Sequence, residues 1–322
     1  MAVPTNTFQT FQAKGLREDL TDMIYMISPT DVVFQSNIQK GTCSATFHQW
    51  QVDSLASVDL TNARVQGDDA ATEAIVATSQ IGNYTQISSK TYRVSGTLEA
   101  VDKAGRAREL ARQRVKKAKE LKRDMEAILL NRQVATLGDA TVTPGTLAGL
   151  PNWLRSNTDL GAGGVDAAAP NPAPVANRTE GTPGVFTEAR LKTALAKAKN
   201  SGGDPSMVMM GTTSKGLFSA FAGIATKTYN MSDRRERAAV IGAADIYVGD
   251  FHILAAVTNI FQRPRDVFVL DPEMASINFL RGVKIEPLAK TGDSEREFMI
   301  CEYTLKVMNE AAHAAVFDVA LT

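Results

Sequence analysis

The sequence predicts an α+β fold, and three observations predict it. Between Arg106 and Gln133, apolar residues recur at steps of mostly three and four, the helical period. Between Met299 and Val307 they fall on every second position instead, the period of a strand with one buried face. Between these two segments, short apolar runs alternate with helical stretches, as in an αβ unit.

Taken in order, residues 1–15 are polar, with Phe8 and Phe11 as isolated anchors, and read as an extended arm. Leu16, Leu20, Ile24 and Ile27 share one face of a short amphipathic helix. Ser28-Pro29 ends it, because the residue before a proline disfavours the helical region. Thr42 to Trp50 and Tyr84 to Val94 read as strands, separated by an acidic, Gly-containing stretch from Asp53 to Glu73. Neither strand has a clean apolar face. Paired as a hairpin with a long tip they form a protruding arm, and two strands alone are barely stable in water. Its stability is therefore expected from a neighbour.

Gly105 separates a helical lead-in, Leu98 to Ala104, from the long helix. That helix has a thin apolar seam that includes Leu110, Val115, Leu121, Met125 and Leu129, flanked by many lysines and arginines. Roughly 30 residues make about 45 Å of helix, too much for such a seam to bury alone. The helix is expected to be a strut laid against other elements, other chains among them. Residues 138–184 are rich in Gly, Ala, Pro and Thr, with Trp153 and Leu154 as the only bulky cluster, and Gly161 to Gly184 reads as a mobile loop or linker.

Order returns with a helix over Thr187–Asn200, capped by Thr187, burying Leu191 and Leu195 and stopped by Ser201-Gly202-Gly203. Met207–Met210 reads as a strand, Thr213–Phe221 as a helix and Asp233–Arg237 as an exposed loop. Ile246–Val248, Phe251–Val257 and Val267–Leu270 are further strands, and Ala275–Leu321 is strand-rich. Pro287 fits only an edge or a bulge.

A chain of 322 residues, 44% hydrophobic and 22% charged, has the composition of an ordinary globular protein with room for a sizeable core or two small domains. No run of about 18 apolar residues is present, so no membrane partner is expected. Met1 to Phe8 has neither the basic start nor the apolar centre of a secretory signal. Cys43 and Cys301, far apart and without ligand spacing, read as inert thiols. The net charge is zero, yet residues 103–126 hold ten bases against four acids, +6, which leaves −6 elsewhere. Such segregation suits one surface meant for a polyanion. A solvated helix face is the plainer reading of the same run.

Motifs of catalysis do not complete themselves. Gly211-Thr-Thr-Ser-Lys215 follows a strand and precedes a helix, but it lacks the glycine that a phosphate loop needs before its lysine. Lys290-Thr291-Gly292 has no Ser-x-x-Lys partner and reads as a turn between strands. His48, His252 and His313 are scattered, with no HExxH spacing. No catalytic, cofactor-binding or metal-ligating residue is assigned, no cofactor is expected, and an enzyme built on the αβ unit is the least supported reading.

Several stretches resemble those of known protein families. Thr7-Phe-Gln-Thr-Phe-Gln12, Gly15-Leu-Arg-Glu-Asp-Leu-Thr-Asp22 and Ile27-Ser-Pro-Thr-Asp31 are similar to the start of one such family. Ile81-Gly-Asn-Tyr-Thr-Gln-Ile87, Ser95-Gly-Thr97 and Glu99-Ala-Val-Asp-Lys-Ala-Gly105 continue the likeness. Lys119-Glu-Leu-Lys-Arg-Asp-Met-Glu126, Leu147-Ala-Gly-Leu-Pro-Asn-Trp153, Phe261-Gln-Arg-Pro-Arg-Asp266 and Asp271-Pro272 extend it over most of the chain, in order. The family resembled is the SU-ten-like major head proteins of tailed bacteriophages, with the Hong Kong 97-type capsid fold. Val32-Val33 departs from it, standing where threonine and proline are expected.

The resemblance implies an N-terminal arm and short helix over 1–36, an extended β-hairpin loop over 37–95 that lies on a neighbouring subunit, and a peripheral domain over 96–186 with Arg106–Gln133 as spine helix. An axial domain over 187–271 and return strands over 272–322 complete it. It implies a structural protein that self-assembles into hexamers and pentamers, forming an icosahedral head around double-stranded DNA. The chain is then a virion component assembled in the host cytoplasm, with portal, scaffold or decoration proteins as further partners. Because the chain begins directly with the arm, no long fused scaffolding segment is expected. Arg112, Lys116 and Lys119 are the expected DNA-proximal bases, where Lys and Arg offset phosphate charge without reading sequence. Asp68, Asp69 and Glu73 are the expected inter-subunit loop contacts. The alternative is a non-viral nucleic-acid-binding protein that uses the basic helix 106–126, for which no base-reading motif is present.

Overall fold

The structure, a computed structural model, describes residues 31–67, 75–103, 105, 107–139, 141–221 and 245–320. The expected arm, the helix Leu16–Ile27 and the loop Asp233–Arg237 lie outside the described residues. A one-turn helix, α1 (Val33–Asn37), leads into β1 (Gln39–Thr42) and β2 (Phe47–Val52). β3 (Ser79–Tyr84) and β4 (Gln86–Ser95) return the chain to α2 (Gly96–Ala100) and the long α3 (Glu109–Leu130). α4 (Leu150–Trp153), β5 (Thr158–Asp159) and α5 (Glu188–Asn200) follow, then β6 (Met207–Met210) and α6 (Thr212–Ser219). Last come β7 (Ile246–Val248), β8 (Ile253–Thr258), β9 (Val267–Leu270), β10 (Ala275–Leu288), β11 (Ser294–Val307) and β12 (Ala314–Val316).

Two sheets organise these elements. A four-stranded sheet runs β1-β10-β11-β4, and a six-stranded one β5-β12-β9-β6-β8-β7. β4 and β11 lie under α3, whereas β12 joins the six-stranded sheet beside β9. One core fills the space between α3, α4, the four-stranded sheet and the near face of the six-stranded sheet, with Leu121, Met125, Trp153, Met209, Phe268 and Leu305 at its centre. A second core lies on the far face, where α5 and α6 bring Leu191, Leu195 and Phe218 against Val208, Val269 and Val316. β6 and β9 are therefore buried on both faces, which is why they read as unbroken apolar runs, Met-Val-Met-Met and Val-Phe-Val-Leu.

The alternation of β11 is realised: Met299, Cys301, Tyr303, Leu305 and Val307 are all fully buried. Cys301 Sγ lies 3.7 Å from Met125 Sδ of α3, and burial pushes its thiol up to about 11. The expectation of a single buried face needs correction, because Glu302 and Thr304 on the other face are buried as well. Thr85 Oγ1 donates to Glu302 at 2.8 Å and Thr304 Oγ1 to the Tyr84 carbonyl at 2.9 Å, so the hairpin root covers that side. Pro287 stands in the outer half of β10, beyond the four residues that β1 pairs, on an open edge. Lys290-Thr291-Gly292 is the turn from β10 to β11, with Gly292 at φ 113°.

The two expected hairpin strands are each broken in two. β2 and β3 pair antiparallel over six residues, while β1 lies parallel to β10 and β4 antiparallel to β11. The hairpin root is held by its own chain: Trp50 packs on Trp153 at 5.3 Å, and buried Asn83 donates to the carbonyls of Ala148 and Leu305. The root therefore needs no neighbour, contrary to the expectation for the whole hairpin.

The Gly/Ala/Pro-rich segment is not a free linker. Isolated bridges join Ala162 to Thr182, Val165 to Thr179 and Gly184 to Val319. Arg178, with a side chain at 0% exposure, forks onto Asp318 through two bonds of 3.1 Å and stacks over Phe317 at 4.1 Å. Glu180 binds Arg132 just past α3 at 2.8 Å, and Arg263 and Arg265 ahead of β9 at 2.5 and 3.0 Å. The segment is a strap between the spine helix and the six-stranded sheet. Gly149 shows how closely it seats: a Cβ there would fall 2.0 Å from the Asn131 carbonyl at the end of α3.

Candidate nucleic-acid and subunit interfaces

The basic surface begins with how α3 starts. The expected span Arg106–Gln133 shortens to Glu109–Leu130, because Arg108 and Asn131 are extended. Arg108 offers no side-chain cap; Glu99 of α2 supplies one, accepting from the N–H groups of Glu109 and Leu110 at 3.0 and 3.4 Å and from Arg108 Nε at 3.1 Å. A carboxylate at the positive end of a helix is stabilising. Burial pushes the Glu99 carboxyl up, but Arg108 and the two N–H groups hold it below its ordinary value.

Along α3 the apolar seam is buried only in part. Leu110, Leu121, Met125 and Leu129 are inside, whereas Val115 is 58% exposed. Four of its bases are engaged. Arg112 binds Glu109 at 3.0 Å and Lys117 binds Glu120 at 2.7 Å. Arg114 pairs with Glu297, which also accepts from Tyr92, and Arg123 stacks on Phe261 at 5.4 Å. The Tyr92 hydroxyl is pushed up to about 12 by burial and the Glu297 contact.

Lys116, Lys119 and Lys122 remain, all exposed and without an ion-pair partner among the described residues. Of the three bases expected to act together, Lys116 and Lys119 share this stripe, and Arg112 is half-buried and turned to Glu109. Lys122 was missed, although its spacing of three from Lys119 is legible in the sequence. Such a stripe can offset phosphate charge; it holds no group placed to read a base edge.

The second surface is the loop between β2 and β3. Over 53–67 and 75–78 it has no helix or strand, and Leu55, Val58, Leu60, Val65, Ile75 and Val76 are between 77% and 98% exposed. A set of bare large hydrophobic side chains on a clamped root marks an interaction surface. Asp68, Asp69 and Glu73 lie outside the described residues.

No reaction centre assembles elsewhere among the described residues. Lys215 lies 3.1 Å from the Ala256 carbonyl, and Ser214 bonds the Pro264 carbonyl at 3.2 Å, so the residues after Gly211 are a seated helix start. No group of three or more His, Cys, Asp or Glu is placed to hold a metal among them, and no helix there is long and apolar enough to cross a membrane.

Comparison with known proteins follows this geometry. The family model described as SU10 major capsid protein matches residues 3–320. The major capsid protein of Escherichia phage Phieco32 is 41% identical over 136 residues, a match spanning 42% of this chain and 38% of that protein's length. Among solved structures, a protein of Microbacterium phage Oxtober96 superposes with a TM-score of 0.57 at 12% identity, covering 94% of this chain and 96% of its own. A chain titled as the capsid of a native GTA particle gives a TM-score of 0.59 at 10% identity, covering 97% of both chains. The fold is the Hong Kong 97 type of phage capsid proteins.

Proposed function

Because the chain belongs to the SU10 major capsid protein family, we propose that it self-assembles into hexamers and pentamers that close an icosahedral head around double-stranded DNA. It is a structural capsid protein of a phage virion and not an enzyme. The observation that carries the assembly reading is the loop beyond β2, whose six exposed hydrophobic side chains find no cover among the described residues. A neighbouring copy supplies that cover, as the loop over 37–95 lies across it. Residues 96–186 and 272–322 act as the peripheral domain and 187–271 as the axial domain, with β12 bridging the two through the six-stranded sheet.

The lysine stripe of α3 faces the packaged DNA in this reading, and Arg112 is replaced in that role by Lys122. Asp68, Asp69 and Glu73 remain proposed as contacts with a neighbour's bases, each pair worth little alone; an unchanged assembly yield after neutralising all three removes that role. Portal, scaffold or decoration proteins are the further partners, and assembly takes place in the host cytoplasm. The alternative of a non-viral nucleic-acid binder using residues 106–126 draws no support from the family match.

The test changes Leu55, Leu60, Ile75 and Val76 to Ser in the full chain and follows assembly by sedimentation. The variant should fold, by circular dichroism, and stay as free subunits while the parent forms larger particles. Equal assembly of both would contradict the reading.

A further inference from the structure

β10 outruns its neighbour on one side. β1 pairs it only from Ser276 to Phe279, while β11 follows it to Leu288. After register shifts between Phe279 and Lys284, residues 284–288 form an unbroken ladder with β11. From Arg281 onward every residue of β10 is exposed, and Val283, Ile285 and Leu288 are bare. Among the described residues no strand pairs with the outer edge of 284–288. Such an edge offers free N–H and C=O groups to another chain. Pro287, which has no N–H, fits where its nitrogen faces the open side. Backbone groups two residues apart point the same way, so Ile285 turns its N–H and C=O outward too. The proline and the register shifts shorten the usable edge to about five residues. They do not cover it.

The loop between β2 and β3 holds a segment of matching length and chemistry. Ile75-Val76-Ala77-Thr78 runs directly into β3, whose pairing with β2 starts at Ser79. Ile75 and Val76 are 98% and 81% exposed. Adjacent side chains of an extended chain point to opposite sides, so neither side of this segment is covered. Three of its four residues are β-branched, the type that suits strand pairing. Ile75, Val76 and Ala77 make no hydrogen bond among the described residues. Residues 53–78 number 26, so each leg of the loop reaches up to about 40 Å from the root. In sequence they hold five acids (Asp53, Asp59, Asp68, Asp69, Glu73) against one base, Arg64. On the open edge Lys284 is exposed and has no ion-pair partner among the described residues.

We propose that residues 75–78 of one copy add as a strand beside residues 284–288 of a neighbouring copy. Main-chain hydrogen bonds supply the contact, as in other strand additions to an exposed edge. The acid-rich loop then answers Lys284. Loop and edge are different surfaces, so the contact is heterologous, and contacts of that kind generate rings. This assignment rests on the reading of the chain as a self-assembling subunit and names the surface on which its loop lies.

Hydrogen exchange of the full chain, as free subunits and as assembled particles at one pH, tests the pairing. The Ile285 amide and those of 75–78 should exchange fast in free subunits and slow by about tenfold or more in particles. The double variant Val76→Pro/Ala77→Pro removes two consecutive N–H groups, one of which faces the edge in either register. It should fold as the parent does, by circular dichroism, and give about tenfold fewer particles or less. Failure of the parent to form particles would overturn the assembly reading together with this one. Particles in which Ile285 stays unprotected, or is protected while 75–78 is not, would overturn the pairing alone. So would protection along β4, the sheet's other edge strand, in place of Ile285, or a double variant that assembles at the parent's yield.

Discussion

At the scale of single residues, long-range polar contacts decide more than composition reveals. Arg178 reads in the sequence as one more base in a Gly/Ala/Pro-rich stretch, yet it is the pin of that stretch, forked onto Asp318 with Asp266 at 3.4 Å. Removing one member of such a buried set strands the others' charge. Arg178→Ala should cost about 3–5 kcal/mol in thermal or denaturant unfolding, and a loss below about 1 kcal/mol would show that the pair is not buried in solution. His313 gives a second check. It is 1% exposed, its Nδ1 accepts the Asp271 N–H at 3.1 Å, and burial pushes its pKa down to about 4. The unfolded chain binds this proton near pH 6.5 and the folded chain does not. Stability should therefore fall as pH drops from about 6.5 toward 4, by about 3 kcal/mol from this residue. His313→Asn should flatten that part of the curve; an unchanged slope would count against the burial argument.

At the scale of elements, what was legible followed from local pattern and what was not followed from partners far along the chain. β11 and β6 were readable because a strict alternation and an unbroken apolar run each admit one reading. α5 was readable because its Thr187 cap and its stop at Gly202, φ 82°, are local signals. The start of α3 was not, since its cap comes from Glu99, ten residues before Glu109. The division of each hairpin strand was equally hidden, because β1 and β4 find their partners in β10 and β11. The pairing of Arg112 was hidden for a similar reason: the pattern shows which face of a helix is polar, and not which base an acid on the same turn has already taken. The half-buried seam of α3 makes its own prediction. Leu121→Ala should destabilise by about 2–5 kcal/mol, whereas Val115→Ala should stay within about 0.5 kcal/mol, both by thermal unfolding. Equal effects would mean that the amino-terminal half of α3 is covered within the subunit.

At the scale of the whole molecule, the resemblance of ordered motifs fixed the family and fold, and the structure sharpened what the chain exposes. Two surfaces lack partners among the described residues: the lysine stripe of α3 and the hydrophobic loop beyond β2. Reversing Lys116, Lys119 and Lys122 to Glu should leave shells intact and reduce retained DNA, because only sequence-independent phosphate contacts are removed. Packaging at the parent level, measured by nucleic-acid content of purified particles, would reject the inner-face placement. The central claim is that both surfaces are satisfied by assembly. Electron microscopy of particles formed by the full chain tests it most directly. A map with the 53–78 loop lying across a neighbouring subunit and the Lys116–Lys122 flank of α3 turned to the interior is the result expected. A chain that stays monomeric under all assembly conditions, or a map in which the loop folds back on its own subunit, would contradict it.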